Sequence, residues 1–93
     1  MLIGICKISL YLPNSHSLKD KRTILAGYTN LLRKRYNISI AEIGQKNSWK
    51  KSTIGIACVN DNRRLIDRIM EKIISHTEIQ PEIQLLDYWF SIN

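Results

Sequence analysis

At 93 residues the chain has room for one domain with a modest core and no space for a second, and its 44% hydrophobic content is ordinary for a globular protein, so disorder is not the default reading. Net charge is +6 and polarised: residues 1–60 hold ten basic and two acidic side chains (+8), residues 61–93 four and six (−2). Nothing approaches a transmembrane span, and the N-terminus, with Lys7 inside its apolar stretch and no basic leader, lacks the form of a signal peptide.

Leu2 to Leu12 alternates, with Leu2, Cys6, Ile8, Leu10 and Leu12 on one side and Lys7, Ser9 and Tyr11 on the other. Period two predicts a strand whose even positions face the core. Gly4 interrupts the even side and implies close approach of another backbone. Ile3 and Ile5 make the outer side apolar at its start. Pro13 ends the strand. Ser17 stands three residues before Asp20, an S-x-x-D variant of the capping box. A helix follows from about Leu18 to Tyr36, with Leu18, Leu25, Tyr28, Leu32 and Tyr36 on one stripe, and Asn37 as a left-handed stop.

Ile38 to Gly44 is a short β-branched run and Ser52 to Val59 another. The polar turn Gln45 to Lys51 joins them as a hairpin. Asn60 or Asp61 is expected to cap a second helix carrying Leu65, Ile66, Ile69, Met70, Ile73 and Ile74 at helical spacing. After Pro81 a last strand, Glu82 to Ile92, places Ile83, Leu85 and Trp89 on one face and Leu86, Tyr88, Phe90 and Ile92 on the other.

The order β-α-β-β-α-β predicts an α+β, ferredoxin-like single domain over 1–93: a four-stranded antiparallel sheet with two helices on one face. Strands 1 and 3 would then be central, with Cys6 and Cys58 near one another. Neither belongs to a metal-binding spacing. They read as reduced, buried thiols of a cytoplasmic protein, a disulfide between them staying open.

L-P-N-S-H-S-L-K-D-K-R at Leu12 to Arg22, Y-N-I-S-I-A-E-I-G at Tyr36 to Gly44, and Trp49 ahead of Ile54 and Gly55 resemble the YlxP-like family of small bacterial proteins, a domain of unknown function. The resemblance covers roughly residues 2–59 and becomes generic beyond. It implies a ferredoxin-like fold, no established enzymatic activity, and genes that lie beside translation and ribosome-maturation factors.

Lys21 falls inside the apolar arc of the first helix. It must either snorkel out at the first turn or hold an acidic partner, for which Glu42 is the candidate. Lys19, Lys21 and Arg22 stand at the helix end where the dipole disfavours cations. With the hydroxyls of Ser15 and Ser17 they form a candidate anion site, against the plainer reading of a capped, solvated helix start. Trp49 among Lys46, Lys50 and Lys51 combines a stacking surface with phosphate-seeking charge, unless it is a lid over the core. His16 has no companion ligand or base, and no nucleophile stands beside a base. The expectation is a non-enzymatic module with no cofactor, metal or membrane association, binding RNA or a ribosomal particle through Ser15, Ser17, Lys19, Lys21, Arg22, Lys46, Trp49, Lys50 and Lys51. The alternative is a homodimeric interaction or regulatory domain, paired through the outer sheet face or an edge.

Overall fold

The alternation at the N-terminus becomes β1 (Leu2–Tyr11), the first element of the computed structural model, which describes all 93 residues. α1 (Leu18–Arg35), β2 (Ser39–Gly44), β3 (Lys51–Asn60), α2 (Arg63–Glu78) and β4 (Gln84–Ile92) follow in the order expected. The sheet runs β2-β3-β1-β4 with every neighbouring pair antiparallel. The fold is ferredoxin-like α+β, with β1 and β3 central and both helices on one side.

Cys6, Ile8 and Leu10 of β1 and Ile54, Ile56 and Cys58 of β3 meet Leu25, Tyr28 and Leu32 of α1 and Ile66, Met70, Ile73 and Ile74 of α2 in one buried cluster. At about 1.5–3 kcal/mol for each large apolar side chain removed from water, this cluster is the main stabilising term. Gly4 marks a close approach, but to side chains of α2 rather than to backbone. A Cβ there would lie 2.5 Å from Ile66 Cγ2 and 2.9 Å from Met70 Cε. The helices are also tied by a polar contact inside the core. Thr77 Oγ1 donates to Ile73 O at 2.8 Å, so the 2.6 Å contact between Tyr28 Oη and Thr77 Oγ1 takes its proton from the tyrosine.

The termini of the elements differ from expectation in three places. Ser17 caps α1 by accepting from Asp20 N at 3.0 Å, but the Asp20 carboxylate returns to His16 N, one residue outside the usual box. Asn37 is not a left-handed stop: Tyr36 is already extended, and positive φ occurs only at Gln45 (59°) and Glu82 (68°). Asn62, not Asn60 or Asp61, caps α2, because Asn60 is still paired with Leu2 in the sheet.

In β4 the register shifts between Ser9 and Leu10, so that Asp87 opposes Ser9 while Leu85 opposes Leu10. The extra residue turns Leu85 to the core side with Phe90 and Ile92 and leaves Trp89 on the other side. Leu85 and Trp89 therefore do not share a face. Cys6 and Cys58 are free and buried, two residues apart diagonally across β1 and β3. Burial pushes the Cys6 thiol up to about 11 and raises Cys58 as well. No helix is long and apolar enough to cross a membrane.

Candidate nucleic-acid interface at the hairpin end

The loop after β1 and the turn between β2 and β3 are distant in sequence and joined in space. Leu12 N donates to Lys50 O at 2.7 Å, and Lys50 Nζ donates to Pro13 O at 2.6 Å. The turn is closed by Ser48 N to Gln45 O at 3.0 Å, with Gln45 in the left-handed region. Ser48 Oγ accepts from Lys51 N at 3.0 Å. This geometry points the turn's carbonyls at the first turn of α1, where Lys21 meets them.

Lys21 is 1% exposed. Its Nζ lies 2.8 Å from Gln45 O, 3.2 Å from both Lys46 O and Lys51 O, and 3.1 Å from Glu42 Oε2, in the only ion pair of the structure. Glu42 also accepts from Ser52 Oγ at 2.7 Å. Of the two sequence readings the partnered one holds, with Glu42 as the partner. The stem crosses the apolar arc, and the hairpin supplies the acceptors that an ammonium needs once water is excluded. Lys21 is thus the fastener of the hairpin and not a ligand on the surface.

Other members of the predicted set are likewise committed. Ser15 is fully buried, its hydroxyl donating to Ser17 O at 3.1 Å. The Ser17 hydroxyl serves as the cap, and the Lys50 ammonium is held by Pro13 O. Lys19, Arg22, Lys46, Trp49 and Lys51 remain exposed, and none of the four cations is in an ion pair. Trp49 is 57% exposed, so it is not a lid over the core.

The exposed cations do not form one ring. Lys19 borders a hollow with Asp20, Thr23 and Glu82, whose carboxylates offset it. Arg22 borders a groove of about 190 Å³ between α1 and the edge strand β2, which also holds Ala26, Thr29, Ala41, Glu42 and Arg33. Arg33 stands in the last turn of α1, where the helix dipole favours a cation. Its guanidinium donates to the Ile40 carbonyl on edge strand β2 at 3.0 Å and to Asn30 Oδ1 at 2.9 Å. The sequence signal for this groove was the spacing of Arg22 and Arg33, eleven residues or about three turns apart, which puts both on one helix face.

No group of metal-ligating side chains occurs in the structure. At this end it offers a positively charged surface with one exposed indole.

Residues 3–89 match the family described as "Protein of unknown function (DUF503)". The uncharacterized protein YlxP of Bacillus subtilis (strain 168) is 28% identical over 83 residues, covering 89% of this chain and 90% of that one. Among solved structures, the de novo designed protein Foldit4 superposes with a TM-score of 0.56 over 100% of this chain and 97% of its own, at 9% identity, a likeness of fold alone. Matched along nearly its whole length, the chain belongs to the DUF503 family, as the motifs around Ser17 to Arg22 and Ala41 to Gly44 indicated.

Proposed function

We propose that this protein is a non-enzymatic RNA-binding module of the cytoplasm, acting on single-stranded segments such as those of a ribosomal particle, through the surface formed by Arg22, Lys46, Trp49 and Lys51. The observation that carries the reading is the exposed Trp49 on a hairpin whose free cations, Lys46 and Lys51, have no carboxylate partner. An exposed indole among cations suits base stacking beside phosphate contacts. Lys21 and Lys50 supply rigidity: they hold the hairpin against α1, so the surface needs little ordering when a strand arrives.

A covalent catalyst is a poorer fit. The Ser15 and Ser17 hydroxyls are spent on backbone partners, and the thiols of Cys6 and Cys58 are buried and held protonated at neutral pH. Those reduced thiols suit a reducing compartment.

The test is a titration of the protein with labelled single-stranded RNA at low salt, alongside the triple charge reversal of Arg22, Lys46 and Lys51. Binding that weakens steeply with added salt and is lost in the reversal supports the reading. RNA binding that is absent at low salt, or indifferent to the reversal, overturns it.

A further inference from the structure

The side of the sheet away from the helices is uncovered, and its middle is apolar. Ile5 (39% exposed), Ile43 (56%), Val59 (54%) and Trp89 (51%) all stand there. Ile43 and Trp89 rise from the two edge strands. Between them lies a hollow of about 330 Å³, floored by Ala41, Gly55 and Ala57. Gly55 keeps this floor low: a Cβ there would lie 3.0 Å from Ile43 Cδ1.

We infer that this face is the interface of a homodimer packed sheet to sheet, with Trp89 of each copy seated in the Ala41, Gly55 and Ala57 hollow of the other. The projection and the hollow lie on one surface, as an isologous two-fold contact requires. Trp89 rises from edge strand β4 at one rim of the hollow, while the floor residues Ala41, Gly55 and Ala57 lie on β2 and β3, towards the other edge. A two-fold axis along the strands carries β4 of one copy across to β2 of the other, the motion that brings indole to hollow.

Charge selects a second copy over an anionic partner. The chain carries +6, so its basic end repels its own kind. The sheet face away from that end bears one cation, Lys7, and one anion, Asp87, both unpaired within the chain, and is neutral. That part of the face offers phosphate no attraction and a second copy no repulsion, while the basic ends, Lys51 among them, come to the same end of such a dimer and repel one another there. Strands of six, ten, ten and nine residues, at about 3.3 Å per residue and about 4.8 Å spacing, give a face of about 550 Å². Two such faces bury about 1,100 Å², the size of a weak, reversible interface, so a dimer in the micromolar range is expected.

Sedimentation equilibrium of the nuclease-treated full chain, from low to high micromolar, tests this. The expected mass rises from 10.8 kDa towards twice that value. Ala57→Arg, which fills the floor with a cation, should stay monomeric with native circular dichroism. Trp89→Ser, at an exposed position, should weaken association by about tenfold or more. A wild-type chain that stays at 10.8 kDa throughout overturns the inference. So does a folded Ala57→Arg chain that associates like wild type. Should Ala57→Arg not fold, Trp89→Ser decides, and unchanged association in that variant is the overturning result.

Discussion

Lys21 shows how much one side chain can be asked to do. Its ammonium answers three backbone carbonyls and a carboxylate from a hairpin more than twenty residues away, with almost no water in reach. Lys21→Met keeps the bulk of the stem, strands the carbonyls of Gln45, Lys46 and Lys51, and leaves Glu42 without a counter-ion. A loss of about 3 kcal/mol in urea unfolding is expected, as for a buried pair broken from one side. Adding Glu42→Gln should cost less in that background than in the wild type, a coupling that a double-mutant cycle reads directly. An unfolding midpoint unmoved by Lys21→Met would refute the fastener role. The misfit of a lysine in an apolar arc was legible in the sequence. Its destination was less so, because three of its four partners are carbonyls, which belong to turn geometry and leave no mark on residue identity. Burial also sets a pH dependence. The Cys6 thiol is raised to about 11 and the Tyr28 hydroxyl to about 12, in both cases chiefly by desolvation. In the unfolded chain these groups lose their protons near 9.0 and 10.0, so across that alkaline window the native state holds protons that the unfolded state has released. Their stabilising contribution is whole below about 9 and is lost as pH rises towards about 12. Urea midpoints should fall steadily over that range, and Cys6→Ala should flatten the lower part of the decline.

Most element types and their order were written in hydrophobic period: two for β1, about 3.6 for both helices, and a polar turn flanked by β-branched runs for the hairpin. Element ends were less legible. The start of α2 waits until β3 releases Asn60, a matter of sheet register, and the faces of β4 depend on a bulge opposite Ser9 and Leu10 that no residue type announces. The candidate site divides along the same line. The basic first turn and the lysine-rich hairpin are visible as composition, yet which of their cations remain free is decided by tertiary hydrogen bonds. Two consequences follow for the elements. Trp49→Ala should leave urea stability within about 0.5 kcal/mol, since the indole is exposed. The same change should weaken single-stranded RNA binding by about 1–3 kcal/mol if the ring stacks on a base. A large loss of stability instead would mean that Trp49 supports the hairpin. Gly4 is the opposite case, a silent position in the interior. Gly4→Val puts branched bulk where a single Cβ already meets Ile66 and Met70, and should lower stability by about 1–3 kcal/mol through displacement of α2.

At the scale of the molecule, 41 Å long and about 20 Å across, charge asymmetry along the chain becomes asymmetry in space. The +8 of residues 1–60 lies on β1, α1, β2, β3 and the hairpin, while α2 and β4 are together neutral and the acidic excess of residues 61–93 sits at Asp61 and Glu82 in the loops on either side of α2. Part of that positive charge is structural. Lys21 is neutralised by Glu42, Lys50 is bound to Pro13 O, and Arg33 covers an edge carbonyl. The cations left for a polyanion at the hairpin end are Arg22, Lys46 and Lys51, and this small number makes the salt dependence of binding a quantitative test. Each phosphate neutralised on a single strand contributes about 0.7 to the slope of log affinity against log salt. Three contacts therefore predict a slope near −2, and replacing Lys46 alone by Gln should reduce its magnitude by about 0.7. Lys21→Met is the control for fold against charge. Its ammonium touches no solvent, so where that variant remains folded the slope should stay as it is, even if loosening of the hairpin lowers the affinity. A slope that responds to Lys21 and not to Lys46 would place the phosphates at the first turn of α1 and remove the hairpin from the interface.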